Sequence, residues 1–387
     1  MVTYPKDWKI VPLGECVKEK LSYGINAPAI PYNAKYPSYI RITDITDDGK
    51  YDDDDKKSVD TNQKEKYLLK SGDILLARTG ASTGKSYLYH PKDGKLVYAG
   101  FLIKASIDCE NHNPRFIAGQ LKTKRFWKWV AATSMRSGQP GINGKEYASF
   151  RIPVTTKQEE ETIAATLSSF DNHIDNLTAL IEKKKAIRDG ALADLMSGRT
   201  RLAGFSGEWE DVKVCDIADR FDNLRIPVPA EKRIKGNIPY YGANGIQDYV
   251  KGFTHDGEYI LIAEDGANNL KKYPVQYVSG QIWVNNHAHV LQGKENVVDT
   301  TFLGFAITCV DFEAVLVGGT RIKLNAKTLM KMDIKIPPSL AEQKAIADIL
   351  TSMDTEIQNL EAEQDKMQAI REGAMDDLLT GRVRLPM

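Results

Sequence analysis

The strongest constraint on the fold is an internal repeat. Residues 163–202 and 346–385 align without gaps at a constant offset of 183 and are identical at 21 of 40 positions. Each copy follows a strand-like segment that ends in Ile-Pro, at Ile152-Pro153 and at Ile336-Pro337. Because a repeat of this length reflects a repeated structural unit, the chain is predicted to carry the same element twice.

A weaker repeat covers the segments that precede the two copies. Trp8 recurs as Trp209, and the run ILLARTG at 74–80 recurs as ILIAEDG at 260–266. The chain is therefore predicted to run domain, helix, domain, helix, with the domains more diverged than the helices. The predicted boundaries are 1–156, 157–202, 203–338 and 339–387.

Apolar residues in both copies follow steps of four and three, which is the a/d pattern of helices that pack on other helices. About 40 residues at 1.5 Å rise give a helix of roughly 60 Å. One reading is an ordinary bundle; the other is that the two helices pair with each other, antiparallel, and separate the domains. The seam positions are Ile163, Leu167, Phe170, Ile174, Leu177, Ile346, Leu350, Met353, Ile357 and Leu360.

The two domains have short apolar runs typical of strands, so the predicted class is α+β, with two mixed α/β domains around a pair of long antiparallel helices. Four runs are candidate strands. These are Tyr39–Ile45, Asp73–Ala77, Tyr259–Ala263 and Gln281–Leu291.

The net charge of zero hides an uneven distribution. Residues 1–151 carry 25 Lys and Arg against 17 Asp and Glu, a net charge of +8. The four cysteines are far apart and form no CxxC motif, which argues against a disulfide framework or a zinc site. Without an apolar run long enough to cross a bilayer or a signal-peptide pattern at the start, a cytoplasmic protein without membrane contact is expected.

Basic and aromatic residues alternate in the segment LKTKRFWKWV at 121–130, and a Gly-rich stretch follows it. Lys and Arg neutralise phosphates, while Arg, Asn and Gln pair with base edges, so this region is a candidate DNA surface. The alternative is an amphipathic helix with a solvated basic face. The candidates here are Lys122, Lys124, Arg125, Arg136, Gln139, Asn143 and Lys145, with Arg321 and Lys323 in the matching part of the second domain.

Further candidates lie next to predicted strands. In the run 281–291, Asn285 and His287 are predicted on a polar strand face that suits either a hydrogen-bonded interior or contact with base edges. His287 and His289 have no third ligand nearby, so no metal site is predicted. The sequence GASTGKS at 80–86 lacks the glycine spacing of a phosphate-binding loop, so nucleotide binding there is rejected.

The chain has no HExxH, GxSxG or Rossmann motif, and no Asn/Asp-Pro-Pro-aromatic tetrapeptide of the kind that holds a flipped base in amino-methyltransferases. It offers binding parts and spacers without a catalytic constellation, and a non-enzymatic role is predicted. Two alternatives are a protein–protein scaffold with two adaptor domains and an autonomous DNA-binding regulator.

The repeated helix that ends in Leu-Leu-Thr-Gly-Arg-x-Arg-Leu, together with YYGANGIQDYV at Tyr240–Val250, resembles the specificity (S) subunit of type I restriction-modification enzymes across essentially the whole chain. The resemblance implies that each domain reads one half of a bipartite site in double-stranded DNA. The helices would then set the gap between the halves and dock two methyltransferase (M) subunits.

The same resemblance places S-adenosylmethionine, adenine-N6 methylation, ATP, Mg and cleavage in the M and restriction (R) subunits, with no cofactor in this chain. DNA contact is then expected on Arg78, Thr79 and Gly80 in one domain and on Glu264 and Asp265 in the other. Arg78 would favour guanine and Glu264 cytosine, unless both are surface turn residues.

Overall fold

The computed structural model describes residues 4–135, 140–267, 269–316 and 323–386. The chain forms two compact units. Unit 1 combines residues 1–177 with 363–387, and unit 2 comprises residues 178–362. Unit 1 is therefore closed by the last 25 residues of the chain, which lie far from the rest of it in sequence.

Unit 1 contains two four-stranded sheets, with strand orders β2-β9-β6-β7 and β3-β5-β4-β8, and a separate antiparallel pair β1-β10. Its strands are β1 (Lys9–Pro12), β2 (Ser22–Tyr23), β3 (Ile30–Pro31), β4 (Ser38–Ile40), β5 (Lys57–Ser58), β6 (Asp73–Ala77), β7 (Ser86–Leu88), β8 (Leu96–Tyr98), β9 (Leu102–Ser106) and β10 (Arg151–Val154). Its helices are α1 (Lys64–Tyr67), α2 (Pro114–Gln120), α3 (Lys124–Ser134), α4 (Gly144–Ser149), the first half of α5 (Lys157–Met196) and the C-terminal part of the last long helix, which begins in unit 2.

Unit 2 contains one six-stranded sheet, with the order β12-β17-β15-β16-β13-β14, and the antiparallel pair β11-β18. Its strands are β11 (Glu210–Lys213), β12 (Ala218–Arg220), β13 (Lys235–Gly242), β14 (Gly245–Val250), β15 (His255–Ala263), β16 (Val275–Val284), β17 (Ala288–Gly293) and β18 (Asp333–Ile336). Its helices are the second half of α5, α6 (Val214–Ile217), α7 (Thr300–Thr308), α8 (Phe312–Val315), α9 (Ala326–Met330) and the first part of α10 (Leu340–Leu378).

The long helices pack together antiparallel, as the repeat predicts. In unit 1, Asp171 of α5 pairs with Arg371 of α10 at 2.5 Å. In unit 2, Arg188 of α5 pairs with Asp354 of α10 through bonds of 2.7 and 3.1 Å. These are the same pair of repeat positions with the helices exchanged, because 171 and 354, like 188 and 371, differ by 183. The α+β class with paired long helices is confirmed.

A second repeated ion pair joins the tail of each helix to the start of the other. Glu342, which is 1% exposed, accepts two bonds from Arg201 at 2.7 and 2.8 Å. Glu159, which is 2% exposed, is paired in the same way with Arg384. The helices end just before Gly198 and Gly381, and both glycines adopt a φ of +69°, which suits a helix C-terminus.

The residue that follows the buried glutamate in each helix, Glu160 or Gln343, anchors the helix to the domain in the same unit. Glu160 accepts the backbone N–H of Asn113 at 2.8 Å, and Gln343 accepts the backbone N–H of Asp299 at 2.9 Å. In unit 1 the carboxylate also contacts His112 at 3.2 Å. Hydrogen bonding to Cys16 and to the buried Glu160 raises the pKa of His112 to about 10. Unit 2 has a neutral amide in place of that carboxylate.

Two of the predicted strands differ from the structure. The run Tyr39–Ile45 keeps strand form only in β4, because Arg41 closes a 3-10 turn by donating its backbone N–H to Asp44 at 2.8 Å. The run Gln281–Leu291 is broken into β16 and β17, since the Asn285 side chain accepts the backbone N–H of His287 at 2.8 Å and turns the chain. Asp73–Ala77 matches β6, and Tyr259–Ala263 lies within β15.

We expect Glu160→Gln to reduce the pH dependence of the stability of unit 1. The pKa of His112 is raised in the folded state, so its contribution is fully present below pH about 6.5 and is lost as the pH rises toward about 10. The measurement is the melting temperature from pH 6 to 10, with the neighbouring exposed Glu161→Gln as control. Equal slopes for wild type and Glu160→Gln would contradict this linkage.

We also expect a circular permutant that begins at Ala203, with the original termini joined by a short linker, to fold. Arg384 contacts Asp7 at 3.1 Å, so the two chain ends lie close together in unit 1. Circular dichroism should show the wild-type helix content. A permutant opened between Leu75 and Leu76, inside buried β6, is the negative control, and failure of both permutants would argue against the paired-repeat architecture.

Candidate nucleic-acid interface

The segment after β6 in unit 1 is held by backbone hydrogen bonds on two sides. The N–H of Arg78 donates to the carbonyl of Phe101 at 3.1 Å, and the carbonyl of Arg78 accepts the N–H of Ile142 at 2.9 Å. Thr79 forms an antiparallel bridge with Gly141. The loop after β6, the residue before β9 and the loop before α4 therefore meet at one place, which we call the unit 1 frame.

Unit 2 repeats this arrangement with different residues. The N–H of Glu264 donates to the carbonyl of His287 at 2.8 Å, and the carbonyl of Glu264 accepts the N–H of Leu324 at 2.8 Å. Asp265 forms an antiparallel bridge with Lys323. Arg78 and Glu264 thus occupy the same backbone position, as do Phe101 and His287, and we call this set the unit 2 frame.

The unit 1 frame presents cationic and aromatic groups. The Arg78 guanidinium lies over the Tyr23 ring, 4.9 Å from its centroid, and its Nε has no hydrogen-bond partner among the described residues. The Tyr23 hydroxyl accepts the backbone N–H of Gly144 at 2.9 Å, so the ring is fixed. Phe101 is 58% exposed. Gly80 begins the next turn with a φ of +72° and donates its N–H to the carbonyl of Pro140 at 3.1 Å.

The unit 2 frame is built on carboxylates that already have partners. Glu264 accepts one hydrogen bond from Arg225 at 2.8 Å and lies 3.0 Å from the Lys323 ammonium. Burial opposes ionisation of Glu264, but the bonds from Arg225 and Lys323 outweigh it and lower the pKa of the carboxyl. Glu264 is therefore ionised and held in place, with both oxygens in contact with cations.

On the buried side of the unit 2 frame, His289 links Asp222 to the backbone of Leu324. Its Nδ1 lies 2.7 Å from Asp222 and its Nε2 lies 2.8 Å from the carbonyl of Leu324, so both ring nitrogens face acceptors. His287 contacts Asp265 at 2.6 Å and its side chain remains 48% exposed. Among the residues that the structure describes, no group of three or more His, Cys, Asp or Glu side chains is arranged to hold a metal ion.

Some basic candidates have structural partners. Lys122 donates to the backbone carbonyl of Asp48, and burial together with the nearby Arg371 lowers the pKa of its ammonium. Arg125 donates to the backbone carbonyl of Arg151 and lies 5.3 Å from the Phe150 ring centroid. Lys122 and Arg125 therefore already contact other parts of unit 1.

The remaining candidates differ in their accessibility. Lys124 and Lys145 are exposed. Asn143 caps α4 by accepting the N–H groups of Lys145 and Glu146 at 3.0 Å each, and Asn285 is 4% exposed. The predicted sites Arg136, Gln139 and Arg321 lie outside the described residues.

Residues of the helix seam pack into the cores of the domains as well as along the helices. Ile163 and Leu167 belong to the core of unit 1, and Ile346 and Leu350 belong to the core of unit 2. Further along the seams, Leu177 and Ile357 are buried, at 5% and 8% exposure. The partly exposed seam positions are Phe170, Ile174, Met353 and Leu360.

Four residues at the two frames were not predicted from the sequence: Tyr23, Phe101, Asp222 and Arg225. The sequence does offer a sign of Phe101, because this phenylalanine stands between Ala99-Gly100 and the apolar residues with which β9 begins. Tyr23 lies in the short strand β2, and Asp222 and Arg225 follow β12. No repeat marks these segments, and only the tertiary structure brings them to the frames.

Comparison with known proteins points to one family. The sequence profile of the type I restriction modification DNA specificity domain matches residues 5–185 and 206–368. A Haemophilus influenzae protein, provisionally named a type I restriction enzyme specificity subunit, is 43% identical over 157 residues, which is 40% of each chain. The type I restriction enzyme MjaVIII specificity subunit of Methanocaldococcus jannaschii is 23% identical over 98% of this chain and 94% of its own.

The fold has a relative among solved structures. The crystal structure of the type I restriction-modification system S subunit from M. genitalium matches 100% of this chain and 98% of its own with a TM-score of 0.71 at 18% identity. Within the described residues, none of the helices combines the length and apolar character that a membrane span requires.

Proposed function

We propose a function for this chain from the family to which it belongs, the type I restriction-modification DNA specificity domain family. The match confirms the resemblance that the repeated helices indicate, and it assigns the chain a DNA-recognition role as a specificity subunit. Specificity subunits are non-catalytic, which agrees with the absence of a catalytic motif from the sequence.

Each domain reads one half of a bipartite site. The observation that carries this is the pair of frames: one backbone arrangement occurs twice, with Arg78 in one copy and Glu264 in the other. Arg donates two hydrogen bonds to guanine in the major groove, while Glu accepts from the amino group of cytosine. The same backbone can thus present opposite chemistry to two different half-sites.

The long helices set the unspecified gap between the half-sites and dock two methyltransferase subunits. α5 has 40 residues and α10 has 39, which at 1.5 Å per residue is about 60 Å, or under two turns of B-DNA. Residues 336–387 carry ten acidic and five basic residues, so a protein partner suits this surface better than DNA does. The methyltransferase partners supply S-adenosylmethionine and adenine-N6 methylation, and restriction subunits supply ATP-driven cleavage.

Mapping adenine methylation across the host genome, with and without this chain, tests the proposed function. We expect one bipartite motif with a fixed unspecified gap to disappear on deletion and to return on complementation. Unchanged methylation, with the partner methyltransferase shown to be expressed and active, would contradict the assignment.

Arg78→Ala tests the reading of the first half-site. We expect the preference for guanine at one position of that half-site to fall about 10- to 100-fold, since a bidentate contact contributes about 1–3 kcal/mol of discrimination. The preference in the second half-site should not change. The measurement is competitive binding of the methyltransferase complex to single-base variants of the mapped motif.

Lys92→Ala is the matched control, because it removes an exposed positive charge outside the frame. It should weaken binding to all sequences equally or have no effect. If Arg78→Ala behaves like Lys92→Ala, Arg78 does not read a base.

A further inference from the structure

Phe101 is an exposed aromatic residue at a fixed position of the unit 1 frame. It is 58% exposed, although the next residue, Leu102, is fully buried and begins β9. Large apolar side chains are usually buried, so a phenylalanine presented to solvent within a binding frame is informative. Its carbonyl accepts the N–H of Arg78, and the two residues are therefore direct neighbours across the sheet edge.

Backbone hydrogen bonds fix the segment that leads into Phe101. The N–H of Gly100 donates to the carbonyl of Ile25 at 2.7 Å, and the N–H of Ala99 donates to the carbonyl of Ile40 at 3.0 Å. A Cβ at Gly100 would lie 3.1 Å from the Ile25 carbonyl oxygen, so a glycine suits this close approach. Ordered backbone on both sides presents the Phe101 ring to solvent at low entropic cost on binding.

The equivalent position of unit 2 carries His287, which is also partly exposed but polar and paired with Asp265. Position 101/287 therefore varies in chemistry together with position 78/264, while the backbone hydrogen bonds that define both positions remain the same. Residues that differ on a common frame are the ones that can distinguish two half-sites.

We propose that Phe101 contacts the C5 methyl group of a thymine adjacent to the base contacted by Arg78. The proposal rests on the proposed function of the chain. Thymine alone among the four bases presents a methyl group in the major groove, and apolar contact with a phenylalanine is one way in which proteins recognise it. Arg78 and Phe101 together then read a guanine and a neighbouring thymine, in a half-site different from the one that unit 2 reads.

Deoxyuridine substitution tests this contact, because it removes only the methyl group and leaves Watson–Crick pairing intact. Each thymine of the mapped motif, on either strand, is replaced in turn, and the Kd of the methyltransferase complex is measured. We expect one substitution in the first half-site to weaken wild-type binding about four-fold, which corresponds to the loss of one buried methyl group. Phe101→Ala should show the same loss on thymine-containing DNA and no further loss on deoxyuridine DNA.

Phe101→Leu keeps an apolar contact and should retain part of the methyl sensitivity. As a control for folding, both variants should keep an unchanged preference in the second half-site. If no deoxyuridine substitution weakens wild-type binding, or if Phe101→Ala remains as sensitive as wild type, the proposal is wrong. A loss of affinity that is the same for every sequence would indicate instead that Phe101 contacts a protein partner or inserts as a wedge. If the wild-type complex shows no sequence preference at all, the proposed function itself is overturned.

Discussion

A buried carboxylate at the start of each long helix, neutralised by an arginine from the tail of the other helix, is the interaction on which the architecture depends. Glu159 and Glu342 are almost fully buried, and an unpaired charge in such a place is strongly destabilising. Arg384 and Arg201 supply the missing charges from the ends of α10 and α5. The start of one helix is therefore satisfied only when the tail of the other is in place. This requirement explains why the repeat extends through the Gly-Arg-x-Arg-Leu tail and does not stop at the last helical turn.

The two domains show how binding chemistry can change while a fold is kept. Both frames are defined by backbone hydrogen bonds, which do not depend on the side chains attached to them. Arg78 can therefore stand where Glu264 stands, and Phe101 where His287 stands, without any change in strand register. The sheets around the frames differ more, with two four-stranded sheets in unit 1 and one six-stranded sheet in unit 2. What is common to the two domains is the edge that presents the frame and the strand pair, β1-β10 or β11-β18, that precedes each long helix.

The two frames also differ in how much of their polar chemistry is already used. Glu264 is in contact with Arg225 and Lys323, so a base that it reads must share a carboxylate that already accepts hydrogen bonds. The Nε of Arg78 is buried and has no partner among the described residues, and the guanidinium lies over the Tyr23 ring, 4.9 Å from its centroid. Cation–π contact orients a guanidinium without consuming all its donors, which suits a group that hydrogen-bonds to a ligand.

The sequence alone determined the long helices, their heptad seams and the position of β6, while the contacts of Asp171 with Arg371 and of Arg188 with Asp354 decided between an ordinary bundle and an antiparallel pair. Helical periodicity and a repeat at constant offset can both be read directly from the sequence, without knowledge of the rest of the fold. Only the tertiary structure decided which polar side chains have no partner within the described part of the protein and which are already bound. Lys122 donates to the carbonyl of Asp48, which is 74 residues away in the chain, and Arg125 donates to the carbonyl of Arg151, which is 26 residues away. Availability for binding depends on such distant partners, and no local pattern of charge or hydrophobicity reports them.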